Sequence, residues 1–258
     1  FALYRERFPV LAGLIAVPVM LNIGAAMTGS AAPFIGLAFA IAAVVFFVAG
    51  YLALAYALVE KSGFKASYQS AFHAFFSYAW LAFLVNITNI GGFIMGIIPG
   101  IIFSIWFMFS MFLFVAEGAR GMGAMLKSKE YVRGLWWPVF GRMIVAGLLV
   151  GGISALWSVV AGHPGRPIAQ IAIALYQLLA LPFFAVYVYK IFESLRAIKP
   201  ELVNQPAPAK RGFFVFSAIL GVIGPVLILI GMIIFGAAFL RNGIIPLPQN
   251  YEIPQNGG

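Results

Sequence analysis

All seven carboxylates in this chain of 258 residues are glutamates: Glu6, Glu60, Glu117, Glu130, Glu193, Glu201 and Glu252. Each stands at the end of an apolar run or in a loop outside the runs, so a carboxylate pair acting as general acid and base inside an apolar core is excluded. Asp and Cys are absent, which removes thiolate nucleophiles, sulfur metal ligands and any disulfide framework. His73 and His163 have no partner at zinc-ligand spacing, no Ser lies in a nucleophile elbow, and neither a P-loop nor a dinucleotide fingerprint occurs. No metal or cofactor is expected, and an enzyme is the least supported class.

Binding chemistry is better represented. Arg120, Lys127, Lys129 and Arg133 form the densest basic cluster and share their segment with Met122, Met125 and Leu126. A cationic rim beside apolar side chains suits the headgroups of anionic lipids on the cytoplasmic side, with the apolar neighbours among acyl chains. The same charges also serve as an orientation signal. Inside the apolar runs the polar groups are few: Gln177, Ser154, Ser104, Ser110 and the basic Arg142. A charge at the bilayer centre costs roughly 3 kcal/mol, and no acid is placed there, which argues against an ion-driven transporter. Arg142 lies about two turns into its run and can snorkel to the surface. Hydrogen bonds between helices account for the neutral groups, while a solute path through Gln177 is the alternative.

The elements that carry these residues are apolar runs. Hydrophobic residues make up 63% of the chain and charged residues 9%, too little polar surface to coat a globule. Stretches 8–27, 35–59, 74–90, 98–116, 136–160, 168–189 and 213–240 approach or exceed the roughly 20 apolar residues that a crossing needs. Fourteen of the sixteen basic residues fall on one side of the runs, and only Arg166 and Arg241 on the other. This places the N-terminus in the cytoplasm and the C-terminus outside. The +9 net charge is thus an orientation signal, and no nucleic-acid partner is expected. The chain opens at Phe1 without a methionine, so preceding residues are expected to be missing or processed, and no cleavable signal peptide is visible.

The expected fold is an all-α polytopic transmembrane helix bundle with short interfacial helices on the cytoplasmic side. It comprises a six-span domain (1–200), a cytoplasmic linker (201–211), an appended seventh span (212–240) and a loose external tail (241–258). Residues 64–80 have helical period, with Phe64, Tyr68, Ala71, Phe72, Phe75 and Tyr78 on one face. In the matching segment after the fourth span, Met122, Met125, Leu126 and Val132 share an arc with Lys129 and Arg133, which suits snorkelling at a membrane surface. The pairs Glu60/Trp80 and Glu117/Trp137 recur at an offset of 57 residues, as a duplicated hairpin would. Gly92, Gly96 and Gly100, and again Gly147, Gly151 and Ala155, are spaced for close helix approach. Pro225 is expected to kink the seventh span. Glu117 is expected to accept hydrogen bonds from the first amides of the following short helix.

One stretch carries a resemblance. Ile98-Pro99-Gly100 opening a span, Glu117-Gly118 closing it, Ser128 in a short helix, then Gly134 and Trp136 opening the next span, resemble a family of prokaryotic membrane proteins. That family is similar to the membrane domain of glycerophosphoryl diester phosphodiesterases. The likeness covers about residues 60–201 and implies six core spans of unassigned function. The family's acidic pair is reduced here to Ala116-Glu117, and without the phosphodiesterase domain no hydrolytic activity is implied. The expected role is non-enzymatic: binding lipid or protein partners within the bilayer, as a membrane organiser or accessory subunit. A small transporter or channel for a neutral or amphiphilic solute is the alternative.

Overall fold

The computed structural model describes residues 2–28, 32–161, 167–203, 205 and 212–241. In chain order these form α1 (Ala2–Thr28), α2 (Pro33–Val59), α3 (Phe64–His73), α4 (Phe75–Met95), α5 (Ile97–Phe107), α6 (Ser110–Ala116), α7 (Gly121–Val132), α8 (Trp136–Ala161), α9 (Pro167–Ile198) and α10 (Gly212–Arg241), with a 3-10 turn at Pro200–Leu202. Among the described residues there is no strand. Seven crossings have the length and apolar composition to span a membrane: Leu3–Ala25, Pro33–Val59, Phe75–Met95, Ile97–Ala116, Trp136–Leu156, Ile173–Ile198 and Gly212–Phe235. Helices suit this composition because hydrocarbon offers backbone amides no partner, and a helix pairs nearly all of them internally.

The third crossing runs on to Met95, past the polar stretch expected to close it at residue 90. Asn86 turns its amide back onto Ala82 O at 2.8 Å, within its own helix, and Thr88 is fully buried. The fourth crossing is interrupted at Met108 and Phe109, which divide α5 from α6. It is also the most central: half of its span is buried, against 11% of the α8 span. Phe103, Phe107, Phe109, Phe112 and Phe114 of this crossing are each no more than 2% exposed. They meet Leu11 and Leu14 of α1, Leu52 and Leu58 of α2 and Phe192 of α9 in one core.

The seventh span, expected as an appendage, packs along α4. A Cβ on Gly91 would overlap the Ser217 carbonyl oxygen, and one on Gly221 the Ile87 carbonyl oxygen, so glycine at both positions sets the approach of the two backbones. Ser217 Oγ donates to Thr88 O at 3.0 Å across this contact. Phe214 lies against Phe103, Trp106 and Phe107. By contrast, a Cβ on Gly147 or Gly151 would meet nothing within 4 Å, so the close approach expected at these two α8 glycines is not found.

The two short helices differ in detail from expectation. The helix expected over 64–80 is divided at Ala74, and α3 packs under the α1–α2 hairpin through Tyr68 and Ala71. Tyr68 donates its hydroxyl to Leu14 O at 2.7 Å. Phe64 and Phe72 stay 42% exposed. In α7 the arc expected to snorkel is instead core: Met125, Leu126 and Val132 are no more than 2% exposed. The start of α3 at 64 and of α7 at 121 repeats the offset of 57, so the order crossing, short helix, crossing recurs, with the first crossing of the second copy divided. The linker residues 206–211, Arg166 and the tail 242–258 lie outside the described residues.

Candidate functional site

The fourth crossing closes at Gly118, whose φ of +63° is left-handed and carries the chain out of α6 toward α7. This reversal leaves Glu117 facing inward, its side chain 3% exposed. Oε2 forms an ion pair with Lys127 Nζ at 2.5 Å, and Oε1 lies 3.5 Å from Arg196 Nε of α9. Tyr131 donates its hydroxyl to Oε1 at 2.8 Å. The expected hydrogen bonds to the first amides of α7 are therefore replaced by side-chain partners from the middle and end of α7 and from α9. Burial, then the hydrogen bond it donates to Glu117 and the charge of that carboxylate, hold the Tyr131 hydroxyl well above its ordinary pKa.

Three further contacts fix α7. Ser128 Oγ donates to Trp106 O at 2.6 Å, giving a partner to a carbonyl in the last turn of α5, where helix ends run short of donors. Lys199 Nζ donates to Glu130 O at 2.7 Å and Arg133 O at 2.6 Å, capping the C-terminus of α7 with a cation. Burial lowers the pKa of this lysine. Lys127 Nζ also donates to Val203 O at 3.0 Å beyond α9.

These contacts divide the expected basic rim. Lys127 is 8% exposed and committed to Glu117 and Val203, so it is not a surface group. Arg120 donates to Phe114 O at 2.8 Å, with its guanidinium 3.8 Å from the Phe114 ring centroid. It borders a separate surface hollow with Tyr56, Gln69, Ser70 and His73. Lys129 and Arg133 remain together. Lys129 Nζ lies 5.0 Å from the ring centroids of both Trp106 and Phe214. Arg133 reaches Glu130 Oε2 at 3.4 Å and is 75% exposed.

Lys129 and Arg133 stand on the wall of a groove of about 1200 Å³ bounded by α5, α7 and α8. Ile98, Ile101, Ile102 and Trp106 line one side, Leu126, Glu130 and Gly134 the α7 side, and Trp136, Trp137 and Phe140 the third. Trp136 stacks on Phe140 with centroids 4.7 Å apart, and its indole N–H is enclosed without a partner. Pro99 and Gly100 lie in the first turn of α5, Gly100 against the Phe93 ring. The groove is apolar along most of its length and charged where α7 meets it.

The intramembrane polar residues do not form one site. Arg142 is exposed on α8, where its carbonyl accepts from the Tyr187 hydroxyl at 3.0 Å. Ser154 is half-buried on the same helix. Gln177 lines a cavity of about 130 Å³ with Asn22 and Tyr51. A neighbouring cavity of about 260 Å³ shares Tyr51, Leu54 and Leu181 with it. No group of three His, Asp or Glu placed to hold a metal occurs among the described residues.

Tyr131, Arg196, Lys199 and Trp106 were not singled out from sequence as site residues. Lys127 and Tyr131 are four apart, and that spacing puts them on one helix face, so Tyr131 was within reach of a helical reading. Arg196 and Lys199 come from the far end of α9, and nothing in local pattern links them to α7. Comparison with family models, curated proteins and solved structures finds no match to this chain.

Proposed function

We propose that the protein is a non-enzymatic membrane protein that holds an anionic phospholipid in the α5–α7–α8 groove, as an organiser or accessory subunit. The carrying observation is the groove itself: about 1200 Å³, apolar through Ile98, Ile102 and Trp137, with Lys129 and Arg133 at the α7 end. Small-ligand pockets run to about 300–1,000 Å³, so this volume suits a chain-bearing lipid better than a compact solute. Acyl chains fit the apolar length, and the two cations complement a phosphate. Most of α8 is exposed along its span, which joins the groove to the surrounding hydrocarbon. In this reading the basic end faces the cytoplasm, where anionic lipids concentrate, and protein partners within the membrane remain compatible with the same exposed face.

Each basic residue near an anionic headgroup contributes on the order of 1 kcal/mol, so the pair supplies at most about 2 kcal/mol, up to roughly 30-fold in affinity. Native mass spectrometry from nanodiscs of mixed anionic and zwitterionic lipid tests this. The wild type is expected to retain anionic lipid in preference, Lys129→Gln/Arg133→Gln to lose that preference, and Arg120→Gln to keep it. Equal retention by the wild type and the double variant removes the proposal. The alternative, a carrier of a small uncharged or amphiphilic solute, draws its support from the cavity that Gln177 lines and from its larger neighbour, which shares Tyr51, Leu54 and Leu181 with it.

A further inference from the structure

The interruption at Met108 and Phe109 lies within a crossing whose hydrocarbon surroundings penalise every unpaired polar group. Irregular backbone at such depth is tolerated where it is packed in protein or borders a cavity. Here it borders the cavity of about 260 Å³ between α2, α4, α6 and α9. Tyr51 of α2, Tyr78 and Asn86 of α4, Phe112 of α6 and Phe184 of α9 stand on its wall, and no charged residue does. Ser110, the first residue after the interruption, also lines it. Ser110 is 2% exposed, and its hydroxyl oxygen is enclosed and has no hydrogen-bond partner. A buried hydroxyl without a partner is a costly arrangement that a ligand with one polar group relieves.

We infer that this cavity binds a compact uncharged amphiphile: one hydroxyl or carbonyl group at Ser110, with its hydrocarbon part among Phe107, Phe112 and Phe184. The uncharged wall excludes an ion, since nothing on it compensates a charge in low dielectric. The apolar majority of the wall excludes a sugar-like solute. At about 30 Å³ for a water, the volume admits a ligand of roughly ten non-hydrogen atoms. This site shares no lining residue with the lipid groove, and its assignment stands whether or not the groove holds phospholipid.

The test uses the full chain in nanodiscs with a diazirine-bearing octanol, photolysed and mapped by peptide mass spectrometry. Adducts are expected on residues 107–112 or on the facing residues 78–86, and excess plain octanol is expected to suppress them. Ser110→Ala should lower that labelling about two- to tenfold, the range for one lost hydrogen bond. Ala185→Phe, which fills the cavity from α9, should abolish it in protein that still elutes as a single species. Labelling confined to the lipid-facing residues of α8 and α10, labelling that octanol does not suppress, or wild-type labelling of Ser110→Ala overturns the assignment.

Discussion

Replacing Glu117 by Gln removes one charge from the α6–α7–α9 junction and leaves its shape intact. In the native cluster the carboxylate lies 2.5 Å from Lys127 Nζ and 3.5 Å from Arg196 Nε. At an effective dielectric of about 20, those attractions are on the order of 7 and 5 kcal/mol before desolvation is counted. The Lys127 side chain is 10% exposed, so water screens the first little, whereas Arg196 is 37% exposed and the second is weakened. The amide still offers an oxygen to Tyr131, but Lys127 is left as a buried cation with only Val203 O at 3.0 Å. Removing one partner of a buried pair costs about 3–5 kcal/mol. At about 2–4 °C per kcal/mol, the expected fall in thermal midpoint is roughly 6–20 °C, read by scanning fluorimetry in mild detergent. Adding Lys127→Met to Glu117→Gln removes the stranded charge and is expected to recover at least half of the loss. Arg196→Gln alone should cost less than Glu117→Gln. A single Gln variant that melts within about 2 °C of the wild type, or a double variant less stable than the single, refutes this reasoning.

Three other outcomes are expected. Gly91→Ala pushes a methyl group into the Ser217 carbonyl and should destabilise the protein by about 1–3 kcal/mol, whereas Gly147→Ala meets open space and should change stability by no more than about 0.5 kcal/mol; equal thermal shifts contradict the α4–α10 contact. Ser128→Ala leaves Trp106 O without its side-chain donor, at a cost of about 1–3 kcal/mol, and should raise amide exchange at the α5–α6 junction; unchanged exchange speaks against the role given to Ser128. Burial pushes the Tyr68 hydroxyl up to about 12 from its ordinary 10.0, so the folded state holds this proton more tightly than the unfolded state. Its contribution is complete below pH 10 and is lost as pH rises through 12; circular dichroism should therefore show a shallower alkaline loss for Tyr68→Phe than for the wild type, and identical alkaline profiles would exclude it.

The seven crossings were legible in the sequence because an apolar run of span length has few other ways to satisfy its backbone. Their pairing was not. The contact between α4 and α10 depends on Gly91 and Gly221, which are 130 positions apart and are not distinguished by sequence from the α8 glycines, such as Gly147 and Gly151, that meet nothing. The division of the fourth crossing also escaped a hydropathy reading, since Met108 and Phe109 are as apolar as their neighbours. In the candidate site the type of residue was readable and the environment was not. Lys127 and Lys129 are two apart and chemically identical, yet a helix turns them roughly 200° from each other, one toward Glu117 and one toward the groove. Glu60 and Glu117 stand at matching places in the repeated hairpin, but Glu60 is exposed, while Glu117 meets the cations that α7 and α9 bring to it.

Trp106 supplies the most direct probe of the lipid-binding proposal, because it lines the groove beside Lys129. In a variant retaining Trp106 alone, with Trp80, Trp136, Trp137 and Trp157 replaced by Phe, its fluorescence reports contact with lipids brominated on their acyl chains. At equal mole fraction in nanodiscs, brominated phosphatidylglycerol should quench Trp106 more strongly than brominated phosphatidylcholine, and Lys129→Gln/Arg133→Gln should erase the difference. Equal quenching by the two lipids in the protein with both cations intact would contradict the proposal.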